Sequence, residues 1–195
     1  MIEFSDDRPP RADALRNHRL LLDTARRLFH EQGVQNVSMS AIAETAQVGK
    51  GTLYRHFADK AAVCMALLDE DMRDLQMHSF SLLAQPYSPA EKLYAFLQAV
   101  VNYVISHLEF LCASAQHESG NFLQHPAHLW WWQTSYSLLV QAGLTPEQAH
   151  AHATALYAFC DVNSIRLQQQ HFGKSEQAIL RDLEILLNQW VGSGR

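Results

Sequence analysis

The chain has 195 residues, of which 48% are hydrophobic, enough for one domain or two small ones with a substantial buried core. Its three cysteines are far apart and form no CxxC pair, which excludes a disulfide scaffold. The net charge of −5 by itself disfavours nucleic acid as a partner. The charge is uneven, however, because residues 11–60 sum to +3 and residues 61–195 to −6. A basic N-terminal part of an acidic protein is the asymmetry expected of a DNA-binding head.

The beginning of the chain predicts neither a signal peptide nor a membrane anchor. Residues 1–12 are charged and interrupted by Pro9 and Pro10, so we expect a flexible segment there. No stretch of the sequence reaches the apolar length of a membrane span. Together with the cysteine pattern, these features predict a cytoplasmic protein.

A first helix is predicted over residues 13–32. Its apolar residues recur at helical spacing and form one stripe for a small core, made by Leu21, Ala25, Leu28 and Phe29. Gly33 is a natural stop. Most arginines of this helix lie off the stripe. We interpret them as a solvated face from which one or two near the N-terminus reach phosphates.

Two short helices joined by a tight turn are predicted from Val37 to Lys60. Ser40 is positioned to cap the first of them, and Leu53 and Phe57 of the second point the same way into a small core. The remaining positions of the second helix are almost all hydrogen-bond donors, namely Lys50, Thr52, Tyr54, Arg55 and His56. Gly49 and Gly51 allow a partner to approach the backbone closely. Packing alone does not require such donors, so the pattern favours a helix that enters the major groove of DNA.

This segment resembles the helix-turn-helix of the tetracycline-repressor (TetR) family. The resemblance lies in the pattern Ser40-x-Ile42-Ala43, the run Gly51-Thr52-Leu53-Tyr54 followed by His56-Phe57, and Lys60 at the start of the next helix. There are two departures. Gln47 stands where the family usually has Gly, and would have to adopt a turn conformation strained by ~1 kcal/mol. Gly49 stands where a hydroxyl residue is common, so one phosphate contact is put in doubt.

The resemblance implies an all-α protein with a three-helix, helix-turn-helix DNA-binding head over residues 13–60. Residues 61–195 would form a helical bundle for ligand binding and dimerisation. The DNA contacts carried over from the motif are Ser40, Gly49, Lys50, Gly51, Thr52, Tyr54, Arg55, His56 and Lys60. The partners implied are a double-stranded DNA operator, a second copy of the chain and a small effector.

Apolar periodicity and turn residues predict further helices over residues 60–83, 89–115, 126–142, 146–172 and 175–191, with a break at 117–124. The first of these leaves the head and enters the body, which makes it a natural lever between the two. The second is apolar nearly all round, as the central helix of a bundle is. The last two carry amphipathic stripes. The resemblance implies that they pair with the same helices of a second chain, although both stripes would also fit inward packing on their own bundle.

Trp130, Trp131 and Trp132 are the strongest indication of a ligand chamber. Successive helical residues point about 100° apart, so three consecutive indoles cannot all face one core. Ordinary packing explains two of them, and the third faces a cavity, an interface or water. We predict a small hydrophobic or aromatic effector, held by residues chosen from the body helices, namely Phe96, Tyr103, His117, Trp131, Tyr157 and Asp161. Glu118, Asp161, Asn163 and Arg166 are candidate polar groups of the pocket; alternatively, Arg166 pairs with a carboxylate and binds the bundle together.

The sequence contains no motif that predicts an enzyme, a metal site or a cofactor. It has no G-x-S-x-G, no Gly-rich phosphate loop and no H-E-x-x-H, and its eleven histidines lack Cys or carboxylate neighbours at ligand spacing. The favoured interpretation is a ligand-responsive repressor that binds a palindromic operator as a homodimer. The alternative is an effector-sensing or partner-binding helical protein whose DNA binding is weak or lost.

Overall fold

A computed structural model describes residues 10–115 and 126–191, and every element that it describes is helical. The chain divides into two compact units, a head that ends at Leu67 and a body that begins at Leu68. The division falls inside a helix, whereas the sequence placed it after Lys60. The predicted break at 117–124 and most of the segment 1–12 lie outside the described residues.

The head consists of short helices that follow one long one. These are α1 (Pro10–Gln32), a single 3₁₀ turn (Val34–Asn36), α2 (Met39–Thr45), α3 (Lys50–His56) and the first turns of α4 (Lys60–Leu83). The predicted stripe of α1 is buried, and Ile42 and Leu53 complete the core from α2 and α3. Helix α1 begins at Pro10, three residues earlier than predicted, because Pro fits the first helical position, where no backbone N–H is needed.

The cap of α2 was wrongly predicted. Ser38, not Ser40, has the extended backbone of an N-cap, and its Oγ accepts the N–H of Ala41 at 3.1 Å. Since an N-cap side chain reaches the third residue after it, the helix begins at Met39 and Ser40 falls in its first turn. Ser40 is therefore a half-buried helical residue, and its predicted contact with DNA must come from that position.

The turn between α2 and α3 has the strained residue that the sequence predicted. Gln47 has φ 55°, and no other non-glycine residue with positive φ occurs among the described residues. The N–H of Val48 donates to the carbonyl of Ala43 at 3.0 Å, and the N–H of Gln47 to that of Glu44 at 3.1 Å. These bonds close the end of α2 in the manner of a Schellman motif, which normally takes glycine at the left-handed position. The turn therefore holds Gln47 at some conformational cost.

The body contains the rest of α4 and six further helices within its described residues, namely α5 (Pro89–Ser106), α6 (Leu108–Ala115), α7 (Pro126–Gln141), α8 (Pro146–Cys160), α9 (Val162–Gln170) and α10 (Glu176–Val191). Capping boxes at Ser88 and Thr145 start α5 and α8, as expected of Ser and Thr before a Pro-initiated helix. Helix α5 is the central one, with Leu93, Phe96, Leu97, Val100, Val101 and Val104 buried, and α7 packs along α8.

Two helices that the sequence predicted as continuous are broken. The first break is at His107, whose ring nitrogens lie 2.8 Å from the Tyr103 carbonyl and 2.8 Å from the Asp71 carboxylate. His107 has φ −112° and ψ 16°, outside the helical region, and its ring contacts lie at the 70° bend between α5 and α6. Helical periodicity survives such a turn, which explains why the sequence pattern concealed it.

The second break is at Asp161, between α8 and α9. Its extended backbone (ψ 144°) ends α8, and its carboxylate accepts the N–H of Asn163 at 2.9 Å to cap α9. Asp is a strong N-cap residue, so the break has a local cause that apolar periodicity did not reveal.

Within residues 10–115 and 126–191, no single helix has both the length and the apolar composition to cross a membrane. Helix α5 and residues 108–114 meet those two criteria only as a pair, bent by 70°.

Candidate nucleic-acid interface and body cavity

Helix α3 separates a packing face from a donor face. Leu53 is fully buried and Phe57, just after the helix, is 3% exposed, as their spacing predicted. On the other side, Lys50 and Arg55 are exposed and Tyr54 is 52% exposed, although its ring is large and apolar. An aromatic ring left in water at the centre of a row of donors is available to a partner surface.

The two glycines of this region are not required by the head itself. Gly49 is the N-cap of α3 with φ −64°, which any residue can adopt, and Gly51 lies inside the helix. A Cβ at either position would meet nothing within 4 Å. Glycine in a helix interior is destabilising by roughly 0.5–1 kcal/mol relative to alanine, with no packing reason here to retain it. Both positions are exposed, so the space that the missing side chains leave lies on the outer surface.

His56 is turned toward the head rather than outward. Its ring centroid lies 5.8 Å from that of His18 on α1 and 6.3 Å from that of Phe57, and its Nε2 is shielded without a hydrogen-bond partner among the described residues. Burial, followed by the charges of His18 and Arg55, lowers the pKa of His56. The neutral ring is thus favoured, and it would add no positive charge to a DNA contact. Its assignment to DNA stays a prediction.

Lys60 has a structural role that the motif did not suggest. Its Nζ donates to the carbonyls of Val34 at 2.7 Å, Val37 at 3.1 Å and Gln35 at 3.3 Å. An ammonium group has three donors, so all are engaged with the segment that links α1 to α2. A contact between Lys60 and a phosphate would have to replace or share one of these bonds.

The body brings three of the predicted ligand residues together. Trp131 of α7, Tyr157 of α8 and Asp161 line a cavity of about 20 Å³, together with Val104, Leu111, His128 and Val162. The Tyr157 hydroxyl lies 2.9 Å from His128 Nδ1. Burial, and secondarily the Asp161 carboxylate, raises the pKa of Tyr157. The cavity is therefore aromatic and carries one acidic side chain.

The other predicted ligand residues lie elsewhere. Phe96 is completely buried against the edge of Trp130. Tyr103 is a core residue whose hydroxyl donates to the Leu68 carbonyl at 3.1 Å. Its ring makes an edge-to-face contact with Trp131, but Tyr103 does not line the cavity. His117 lies outside the described residues.

The three consecutive tryptophans divide as predicted. Trp131 is 7% exposed and lines the cavity, Trp130 packs between Phe80 and Phe96, and Trp132 stacks on Tyr136 and donates to Thr154 Oγ1 at 3.1 Å. His128 was missed as a cavity residue. The signal was present, because a residue three positions before Trp131 shares its helix face.

Asp161, the N-cap of α9, lines this cavity, but the polar residues within α9 do not. Asn163 and Arg166 line a separate open groove, and Arg166 Nη1 lies 3.7 Å from Cys112 Sγ rather than beside a carboxylate. The other two cysteines are buried, and burial raises the pKa of Cys64 to about 11 and of Cys160 to about 12. Both thiols are therefore kept protonated and unreactive.

A short helix with an outward donor face, held by a tight turn to a second short helix, defines a helix-turn-helix protein. Residues 21–67 match the family described as bacterial regulatory proteins of the TetR family. A helix-turn-helix-type transcriptional regulator of Staphylococcus aureus strain MRSA252 is 33% identical over 115 residues, 58% of this chain. The match spans only 62% of that relative's length.

Solved structures share the fold across nearly the whole chain. A TetR-family transcriptional regulator from Pectobacterium atrosepticum has a TM-score of 0.73 and 19% identity, covering 96% of this chain and all of its own. A putative transcriptional regulator from Saccharomonospora viridis, in complex with choline, has a TM-score of 0.68 and 20% identity, covering 92% of this chain and 97% of its own. At 19% and 20% identity, these similarities establish a shared fold.

Proposed function

We propose that this protein is a cytoplasmic transcriptional repressor that binds a palindromic operator as a homodimer and is released by a small effector. The observation that carries the proposal is the donor face of α3, which is exposed, rich in side chains that reach phosphates and bases, and included in the family match. Lys50, Thr52, Tyr54 and Arg55 are the side chains that would make the contacts, with Ser40 at the start of α2. Gly49 and Gly51 would admit the DNA backbone.

A homodimer is supported by one observation and one geometric requirement. Apolar side chains remain exposed near the end of the chain, where Leu167 is 48%, Phe172 60% and Ile185 49% exposed. Two-fold operators also require two recognition helices about one DNA turn apart, which a single head cannot provide. The second copy would cover part of this apolar surface.

Release by an effector is supported by the body cavity and by the regulator solved with choline, which shares this fold. A ligand lowers operator affinity only if it binds more tightly to a body packing that disfavours DNA. An effector that bound without changing operator affinity would contradict this half of the proposal.

The DNA-binding half is tested by the affinity of the full chain for DNA surrounding its own coding region, measured across a salt series. We expect tight binding that weakens steeply with salt, because several phosphates are neutralised together. Tyr54→Ala should weaken binding at least about tenfold, the range expected when an anchoring contact worth 1.4 kcal/mol or more is lost. Its side chain is 52% exposed, so the head should stay folded.

Tyr87→Ala is the matched control, because Tyr87 is 51% exposed but lies in the body. It should leave DNA affinity unchanged. Gly51→Ala is an independent variant. It adds a methyl group that meets nothing within 4 Å in the protein, so it should keep or raise stability while reducing DNA affinity. Weak binding that is indifferent to both Tyr54→Ala and Gly51→Ala would show that α3 has no DNA role, and the protein would then be a sensor or a partner-binding module.

A further inference from the structure

We propose that the cavity lined by His128, Trp131, Tyr157 and Asp161 binds a small organic cation that also presents a hydrogen-bond acceptor, such as a hydroxyl or carbonyl oxygen. The inference rests on the proposed function only in taking this ligand as the effector. The sequence predicted a hydrophobic or aromatic effector. The inference narrows this class to molecules that combine an apolar group with one positive charge. Three features of the cavity lead to this class.

The first feature is the charge of the lining. Asp161 supplies a carboxylate, and the described residues that line the cavity include no lysine or arginine. One oxygen of that carboxylate accepts the N–H of Asn163, which leaves the other without a donor among the described residues. The rest of the lining is aliphatic or aromatic. An anion would face the carboxylate without a fixed counter-charge, whereas a cation would pair with it.

The second feature is the arrangement of the aromatic rings. The ring of His128 lies 5.9 Å from that of Trp131 at 69° and 5.7 Å from that of Tyr157 at 76°, both edge-on. An edge-on contact covers one face of only one of the two rings, so neither Trp131 nor Tyr157 is stacked face to face with His128. The faces of Trp and Tyr attract ammonium groups, and this attraction strengthens where water is excluded. Two such rings beside one carboxylate form a suitable environment for an alkylammonium group.

The third feature is the indole N–H of Trp131. The residue is 7% exposed, and its Nε1 is buried without a hydrogen-bond partner among the described residues. A buried donor that lacks an acceptor is unfavourable, and Trp132 next to it shows the usual solution by donating to Thr154. Since Trp131 lines the cavity, a ligand oxygen there would satisfy the donor. A cation without an acceptor would leave it unpaired.

The volume of the cavity determines how the ligand enters. About 20 Å³ holds roughly one water molecule, so a ligand must move the lining side chains apart. These side chains come from α5, α6, α7, α8 and α9, which meet at this point. Occupation of the cavity would therefore alter the packing of several body helices at once, as an effector must.

The test is calorimetric titration of the full chain, without DNA, with three probes. Choline carries both the cation and a hydroxyl; 3,3-dimethylbutan-1-ol has the same shape and hydroxyl but no charge; tetramethylammonium has the charge but no hydroxyl. We expect choline to bind at least about tenfold more tightly than the neutral alcohol, and several-fold more tightly than tetramethylammonium. Absence of choline binding, or equal binding of the neutral alcohol, would overturn the proposal.

Two variants assign the binding to this cavity. Asp161→Asn removes the charge but keeps a side chain that caps α9 well, so it should weaken choline about tenfold and hardly affect the neutral alcohol. Trp131→Phe keeps an aromatic ring but removes the N–H. It should weaken choline several-fold more than it weakens tetramethylammonium, which offers no acceptor. Equal losses for both probes would contradict the role of the N–H.

Trp132→Phe is the control for Trp131→Phe, because Trp132 does not line the cavity. It should leave all three affinities unchanged, and thermal unfolding of each variant checks that the body remains folded. Since these titrations contain no DNA, their failure leaves operator binding by α3 intact. Conversely, failure of the head to bind DNA would not affect the result of these titrations, which test the cation site separately.

Discussion

The head and the body of this protein assemble their candidate sites in different ways. The donor face of the head comes from the seven consecutive residues of α3, which a single turn and two buried side chains hold in place. The cavity of the body collects residues from position 104 to position 162, on five helices. The first site is formed by residues that are adjacent in the sequence. The second exists only once the bundle has packed.

This difference determines how each region responds to substitution. On the donor face, an exposed side chain can be exchanged with little effect on folding. Substitutions there should therefore change DNA affinity without changing stability. Around the cavity, every lining residue is also a packing residue, and the two properties are linked. Variants that break this rule are the most informative, and the head contains the clearest of them.

Lys60 should be the strongest exception, because it belongs to the head and yet its replacement should lower stability. Replacing it with Met keeps the length of the side chain but removes the ammonium that serves the carbonyls of Val34, Gln35 and Val37. Hydrogen bonds to a charged donor are worth about 1.5–3 kcal/mol, so Lys60→Met should destabilise the head by about 2 kcal/mol. Denaturant unfolding followed by a head-specific probe, such as amide exchange of α2 and α3, measures this change.

Lys50→Met provides the contrast. Lys50 is exposed on α3 and makes no hydrogen bond to the head among the described contacts, so its loss should spare stability. It should instead reduce the salt dependence of DNA binding by about one phosphate contact, whereas Lys60→Met should not. If Lys60→Met lowered the salt dependence and left unfolding unchanged, its motif-based assignment as a phosphate contact would be correct and the structural role proposed for it wrong.

The locally determined head was largely predictable from sequence. The apolar stripe of α1, the inward pair Leu53 and Phe57, and the strained conformation of Gln47 were predicted from spacing and residue type. What was missed there depends on side-chain reach. The same hydroxyl chemistry stands at residues 38 and 40, and only the helix start decides which one caps. Nor can a sequence pattern reveal that the Lys60 ammonium folds back onto a segment more than twenty residues earlier.

The body was predictable as helices but not as a site. Both helix breaks, at His107 and Asp161, leave the apolar periodicity on either side unchanged, so the pattern predicted one helix where two exist. Trp131, Tyr157 and Asp161 were predicted as ligand residues and do meet in the cavity, whereas Phe96 and Tyr103 do not line it. Aromatic residues on an apolar helix are equally suited to a core and to a pocket. Their sorting depends on how neighbouring helices cross.

The turns of the two regions allow a smaller and reciprocal test. Gln47 ends α2 of the head at φ 55°, and Gly143 follows α7 of the body at φ 99°. Glycine adopts such angles without steric conflict, so Gln47→Gly should stabilise the head by up to about 1 kcal/mol. Gly143→Ala should destabilise the body by a similar amount, although its Cβ would meet nothing within 4 Å. Thermal unfolding measures both, and a destabilising Gln47→Gly would mean that the Gln side chain makes a favourable interaction outweighing its backbone strain.

The pH dependence of head stability should give the smallest effect, and it follows from His56. Because its pKa is lowered in the folded head, the unfolded chain binds the proton more readily than the folded one. Stability from this residue is therefore present above the unfolded pKa of about 6.5 and is lost as the pH falls through the lower folded value. The midpoint of head unfolding should drop between about pH 8 and pH 5, and His56→Gln should reduce that drop.

His30→Gln, which changes an exposed histidine of α1, should leave the pH dependence as it is. If His56→Gln left it equally unchanged, the shielded ring nitrogen of His56 would carry no proton-linked stability.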